Sequence, residues 1–344
     1  MVSNAVKRVA AINDMSGFSR CSLTVAMPII AAMGLHCCPL PTAILSNNTE
    51  HSEFFFDDYT DKMQPYANYW RDLKIKFDCI YSGFLGSEKQ IDIVKKFISD
   101  FKTDKNIVLI DPVMADNGRI YSTYNAKMCE KMKILTQFAD IVTPNVTEAC
   151  ILSETQYAGE NISLKTAEMM CAKIIGHGAK AVVITGIRDE EDVVNFVCAK
   201  DFCDFVKIKA APVYYSGTGD VFASVLCGAV TNGSRIMDAV KISSDFVEKC
   251  VLYSQKCGIY PNEGVAFERF LGDLVNFTKR NNENQKLGNN GGIYGFGICG
   301  NNAAFSYSCH ERIYTYRRCG DLSCRCVPAA SLCNLYGSCR CGFM

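Results

Sequence analysis

The chain has 344 residues, with Lys+Arg and Asp+Glu both totalling 36 and a formal net charge of zero. A balanced surface presents no basic face to a phosphate backbone, so nucleic acid is excluded as the expected partner. No stretch is apolar for long enough to span a bilayer, and Met1 to Arg8 carries no signal-peptide pattern, so the expectation is a soluble, cytoplasmic protein without a membrane partner.

From Val6 to about Lys279, short β-branched runs alternate with longer amphipathic ones. Strands are expected over Arg8 to Ile12, Cys37 to Leu45, Asp78 to Ser82, Ile107 to Ile110, Asp140 to Val142 and Ala181 to Thr185. Between them, Ile91, Val94, Phe97, Ile98 and Phe101 repeat at helical spacing behind a capping Ser87, and Ile236, Val240, Phe246, Val247 and Val251 repeat later. This rhythm predicts an α/β fold with a mostly parallel sheet covered on both faces. Such sheets bind ligands at the carboxyl ends of their strands. Those ends carry Asn13-Asp14, Ser82-Gly83, Asp111-Pro112, Thr143-Pro144-Asn145 and Thr185-Gly186. Val193 to Ala199 and Phe202 to Ala210, separated by Lys200-Asp201, read as a hairpin that could cover a nucleotide.

The hairpin leads to Gly217-Thr218-Gly219-Asp220, between a β-like run from Val206 to Tyr215 and an apolar helical run from Val221 to Val230. A helix starting at Thr218 or Gly219 aims unpaired N–H groups and the positive end of its dipole at an anion, which a phosphate would satisfy. Asp220 in the first turn stands beside that anion, placed to take a proton from an attacking hydroxyl. The bland alternative is a glycine turn that serves packing alone. Asp111, in Asp111-Pro112-Val113-Met114-Ala115-Asp116, and Glu148, after Thr143-Pro144-Asn145-Val146-Thr147, form a sparse acidic set that suits a Mg–nucleotide site. Each also has a structural reading, Asp111 as a turn cap and Glu148 as a first-turn helix carboxylate.

Six ordered blocks resemble the ribokinase-like vitamin kinases, most closely the pyridoxal/pyridoxamine (vitamin B6) kinases. They are Asp14 to Ser22, Thr42 to Thr49, Tyr81 to Gly86, Asp111 to Asp116, Thr143 to Glu148 and Gly217 to Asp220, and the resemblance runs from about Val9 to Glu268. It implies a ribokinase-like αβα sandwich and ATP-dependent phosphorylation of the 5′-hydroxymethyl group of pyridoxal, pyridoxine or pyridoxamine. Asp220 would be the base, with the N–H groups of Gly217, Thr218 and Gly219 stabilising the transferred phosphoryl. Asp111, Asp116 and Glu148 would serve Mg2+ and the phosphates; Asn145, Thr185 and Thr218 would lie near ATP. Asp14, Thr49 and Tyr81, with Asp220, would line the vitamin pocket. A monovalent cation such as K+ and a homodimer are further implications.

Two positions bear on the substrate. Asp14-Met15 stands where many pyridoxal kinases carry serine then histidine, and is similar to the Ser-Asp of hydroxymethylpyrimidine kinases. The glycine turn of those pyrimidine kinases, however, typically ends in cysteine, and here it ends in Asp220. Asp14 could pair with a pyridine nitrogen or an amino group, or could simply cap its loop. A hydroxymethylpyrimidine or small-sugar kinase of the same fold is the nearest alternative, and a non-catalytic vitamin- or nucleotide-binding protein the alternative from another class. A P-loop NTPase is excluded because no Gly-x4-Gly-Lys-Ser/Thr run occurs.

Residues 1–280 are therefore expected to form the kinase domain and 281–344 an Asn/Gly-rich, then Cys-rich, low-complexity tail, disordered or an artefact of sequence assembly. Of twenty cysteines, twelve precede residue 260, mostly inside apolar runs, and are expected to be small buried hydrophobes in a reducing compartment. The other eight crowd the tail. Gly295 to Gly300 matches a dinucleotide fingerprint without a strand or helix around it. Cys309, Cys319, Cys324, Cys326, Cys333, Cys339 and Cys341, with His310, lack the paired spacing of a zinc ribbon.

Overall fold

The computed structural model describes residues 6–210 and 213–278, together with the backbone of 304–309 and 312–317. The chain divides into two units, Met1–Glu283 and Asn284–Met344.

The first unit opens with β1 (Arg8–Phe18), α1 (Ser22–Ala32), β2 (His36–Asn47), β3 (Phe56–Asp58), α2 (Thr60–Asp72), β4 (Cys79–Ser82) and α3 (Glu88–Phe101). There follow β5 (Ile107–Ile110), the short β6 (Ala115–Asp116) and β7 (Arg119–Ile120), α4 (Ala126–Thr136), β8 (Ile141–Val142), α5 (Val146–Leu152) and α6 (Leu164–Gly176). The hairpin strands and last long helices are β9 (Ala181–Asp189), β10 (Asp192–Ala199), β11 (Phe202–Lys209), α7 (Thr218–Thr231) and α8 (Ile236–Lys256). Nine strands form one sheet in the order β11-β10-β9-β8-β5-β4-β1-β2-β3. Its centre is parallel from β2 to β9, while β3, β10 and β11 add antiparallel edges.

Side-chain alternation explains why both faces are covered. Ala10, Ile12, Ile80, Val108, Ile110, Val182 and Ile184 pack on one side with residues of α2 to α6. Val9, Ala11, Cys79, Tyr81, Leu109 and Val183 pack on the other with α1, α7 and α8. Ser87 caps α3 by accepting from the N–H of Gln90, as the sequence pattern predicts.

Some boundaries differ from the sequence expectation. β1 runs on to Phe18, so Asn13 and Asp14 lie within a strand; the β1–β2 register shifts between Asn13 and Met15, which opens the pairing at Asp14. β9 continues past Thr185-Gly186 to Asp189, and β11 ends at Lys209 rather than running on toward Tyr215. The early cysteines are not uniformly buried thiols. Cys198 and Cys203 face each other across the hairpin and form a disulfide, Cys37 and Cys38 are half-buried, and Cys257 is exposed.

In the second unit, β12 (Ala304–Cys309) pairs antiparallel with β13 (Arg312–Arg317). The fingerprint-like Gly295 to Gly300 and the tail cysteines lie outside the described residues, apart from the backbone of Cys309. No helix among the described residues is long and apolar enough to cross a membrane.

Candidate active site

The glycine turn is built around a backbone collision that only glycine avoids. Gly217 is the N-cap of α7 with φ +75°, and a Cβ there would sit 1.9 Å from the carbonyl oxygen of Arg20. Thr218 Oγ1 donates to the carbonyl of Tyr215 at 3.2 Å, closing the turn. Gly219 has open space where its Cβ would be, so packing does not demand a glycine there; the opening faces a cavity. Asp220 follows in the first helical turn, where the helix dipole favours a carboxylate. Burial nevertheless raises its pKa to about 6, with the Asp14 charge adding to the rise; the Ser22 N–H and the Asn13 amide pull the other way. Asn13 Nδ2 donates to Asp220 Oδ1 at 3.3 Å.

The carboxyl ends of β5 and β8 bring the other acids to the same cavity. Asp111 is 7% exposed, and its Oδ1 accepts from Thr143 Oγ1 at 2.9 Å. Burial raises its pKa to about 7, and the Asp220 charge adds to the rise. Glu148 is also raised, by burial and then by Asp111. Its two oxygens accept from Met114 N and Asn145 N at 3.0 and 2.9 Å, and Asn145 Oδ1 accepts in turn from Glu148 N, a capping box at the start of α5. Glu148 is thus engaged as the helix-start carboxylate of the structural reading, while still lining the cavity. Asn145 Nδ2 donates to the carbonyl of Ala115 at 2.8 Å, tying β8 to the segment that carries Asp116. Asp116 is half-buried; its pKa is raised by burial, against hydrogen bonds from Asn117 N–H and Tyr214.

Among the described residues no three His, Cys, Asp or Glu side chains converge tightly enough to enclose a metal. A divalent ion with few protein ligands fits this donor set better: Asp111 Oδ2 accepts no hydrogen bond from the described residues, and both raised carboxyls would gain from a neighbouring cation.

One cavity of about 870 Å3 collects these groups. Asp14, Thr49, Asp111, Asp116, Asn145, Glu148, Thr185 and the whole of Gly217 to Asp220 line it. Tyr81 does not. It is fully buried in the core against α7, because on β4 Cys79 and Tyr81 point to the helix layer of α1 and α7 while Ile80 and Ser82 point to the other. Asp14 is 6% exposed and is already served by two hydroxyls, Ser22 Oγ to Oδ1 at 2.5 Å and Ser16 Oγ to Oδ2 at 3.1 Å. Burial still raises its pKa.

Several further residues line the cavity without a role implied by the sequence motifs. Phe54, Phe56 and Phe84 give the cavity aromatic walls, and for the first two the signal is a run of phenylalanines in an otherwise polar stretch. Ile208 from the hairpin and Val247 and Val251 from α8 add an apolar wall. Asn195 lies where the β9–β10 register shifts, accepts from Gly186 N and donates to Ser244, holding the strand open beside Thr185.

A mostly parallel sheet flanked by helices, with a glycine turn, a helix start and a carboxylate at its carboxyl end, defines a ribokinase-like small-molecule kinase fold. The chain belongs to the phosphomethylpyrimidine kinase family, whose sequence model matches residues 27–264. It is 34% identical, with a TM-score of 0.77 over 80% of this chain and 96% of the other, to a crystallised Bacteroides thetaiotaomicron protein provisionally named a phosphomethylpyrimidine kinase. A second crystal form of that protein contains pyridoxal and matches at 35% identity and TM-score 0.73, over 78% of this chain and 96% of that one. The thiamine biosynthetic bifunctional enzyme of Arabidopsis thaliana is 26% identical over 72% of this chain, and the match spans 47% of that longer enzyme. The pyridoxine/pyridoxal/pyridoxamine kinase of Bordetella avium is 22% identical over 70% of this chain and 82% of its own length.

Proposed function

We propose that this protein transfers the γ-phosphoryl group of ATP to the 5′-hydroxymethyl group of a B6 vitamer, pyridoxal, pyridoxine or pyridoxamine. The observation that carries the proposal is the placement of Asp220, a carboxylate in the first turn of α7 that lines the cavity together with Gly217, the αL N-cap of that helix, and with Thr218 and Gly219; its pKa, raised to about 6, suits the role. A base with that pKa is ionised near neutral pH yet basic enough to accept a proton from the attacking hydroxyl as the phosphorus–oxygen bond forms. The N–H groups of Gly217, Thr218 and Gly219 would receive the charge spreading over the phosphoryl oxygens. Asp111 would hold Mg2+, with Asp116 and Glu148 alongside, and the ion would supply charge neutralisation on the phosphates. Asn145 and Thr185 would flank the nucleotide, whose base suits the apolar wall of Ile208, Val247 and Val251. A flat pyridine ring suits Phe54, Phe56 and Phe84. The pyridoxal in the Bacteroides relative supports the B6 reading. On this reading residues 1–280 would carry the kinase, and the family resemblance implies a homodimer.

The family match favours a second reading, phosphorylation of hydroxymethylpyrimidine on the same machinery. Purified protein with ATP and Mg2+ is offered pyridoxal, pyridoxine, pyridoxamine and hydroxymethylpyrimidine side by side, with Asp220→Asn as control. Turnover of the vitamers that the variant loses is the expected result. Turnover of the pyrimidine alone would replace the B6 reading, and nucleotide binding without turnover of any of the four would leave a binding protein.

A further inference from the structure

Asn13 is fully buried, and the sequence motifs give it no role. Its amide is held at both ends. Oδ1 accepts from two backbone donors, Asp14 N at 3.0 Å and Phe84 N at 2.9 Å. Only the oxygen of an amide can accept, so these two bonds fix which end is which and turn the NH2 group toward Asp220 Oδ1, 3.3 Å away. Gly83 makes the room: a Cβ on it would stand 2.3 Å from Asn13 Nδ2 and 2.6 Å from Cγ, although its backbone conformation is one that any residue can adopt. Three segments distant in sequence, at 13, 83–84 and 220, therefore close on one amide.

We infer that Asn13 is a positioning residue for the phosphoryl-transfer base, fixing the rotation of the Asp220 carboxylate with a donor that is itself locked by the Asp14 and Phe84 backbone, and that Gly83 is glycine to admit that amide. The inference rests on the assignment of Asp220 as the base. With Ser22 N–H as the second donor to the same carboxylate, the group is held before substrate arrives. Misplacing a reacting group by an ångström costs about 100-fold in rate, so loss of the lock should appear in kcat and leave substrate binding nearly intact.

Two substitutions perturb the lock from opposite sides. Asn13→Asp keeps an oxygen for Asp14 N and Phe84 N but sets a second carboxyl oxygen against Asp220 in place of the NH2 donor, so its kcat is compared on the alkaline plateau of the pH profile, where the base is ionised; Gly83→Ala adds no charge, leaves Asn13 unchanged and pushes its amide aside. Both are assayed in the full chain with ATP, Mg2+ and the accepted substrate, next to Asp220→Asn, with folding checked by circular dichroism. The expected result is a kcat lowered about 10- to 100-fold in both, with KM for ATP and substrate within about threefold of wild type. If folded Asn13→Asp and Gly83→Ala both keep kcat within about twofold, or lose efficiency through KM alone, while Asp220→Asn is inactive, the role of Asn13 is refuted and the base assignment stands. If Asp220→Asn itself turns over like wild type, the base assignment falls, and this inference with it.

Discussion

Replacing Asp111 by asparagine should stabilise the protein while removing its activity, and by an amount that depends on pH. The carboxyl is 7% exposed and faces the charge of Asp220, which together with burial lifts its pKa from 3.8 to about 7. A group raised in this way holds its proton more tightly folded than unfolded. Its contribution to stability is complete below the unfolded pKa and is lost as pH rises through the folded value. Between about pH 5 and about pH 8, integrating those two pKa values costs the wild type about 2–3 kcal/mol that a neutral side chain does not lose. Asparagine keeps an oxygen for Thr143 Oγ1, so little packing is forfeited. Thermal melts of both proteins, without nucleotide or divalent ion, should show the variant's advantage widening by about 5–8 °C from the acidic to the alkaline buffer. A difference in melting temperature that is the same at both pH values would refute the claim that Asp111 is a charge held against its burial. ATP turnover by the variant should fall by at least about 100-fold, since a phosphate-neutralising ligand is gone.

Three further outcomes follow from the same geometry. With the Asp220 pKa at about 6, kcat/KM should decline on the acid side with a midpoint near that value, because the base must be ionised to accept a proton; a profile flat down to about pH 5 would exclude it. Gly217→Ala should lose at least about 2 kcal/mol of stability, from a positive φ and a Cβ pressed on the Arg20 carbonyl, whereas Gly219→Ala, with open space at its Cβ, should melt within about 1 kcal/mol of wild type. Denaturant titration separates them, and equal losses would contradict the packing described. Tyr81→Phe should leave the KM of every substrate unchanged, because the ring lies in the core and not on the cavity wall; a KM raised several-fold would return Tyr81 to the pocket.

Most of the frame is legible in the sequence because its signals are local. β-branched runs, helical spacing and the Ser87 cap need only their neighbours to be read, and β5 matches its expected bounds to the residue. The Asn145-x-x-Glu148 spacing is likewise a capping-box signature, and it shows that a carboxylate can close a helix start and line a ligand cavity at once. Legibility fails where the answer is held by a distant segment. Asn13-Asp14-Met15-Ser16-Gly17 reads as a loop by composition, yet it is strand because β2 supplies a partner register on the far side of the shift. Tyr81 reads as a pocket residue by motif, but strand alternation sends it with Cys79 toward α7; the face of the strand, not its place in the block, decides what a side chain touches.

The disulfide marks the boundary between the two cases. Lys200-Asp201 as a two-residue turn sets Ala199 opposite Phe202 and therefore Cys198 opposite Cys203, so the hairpin recognised in the sequence already contained the pairing. Asn13 lies beyond that boundary, since no local pattern connects residue 13 to the N–H of Phe84 or to Asp220. A parallel sheet makes such convergence routine: each strand delivers its carboxyl end to the same edge, so residues seventy and two hundred positions apart meet at one site. The glycine at 83 is the trace this leaves in the sequence, a residue without a turn to explain it, whose missing side chain is accounted for only by the amide that fills its place.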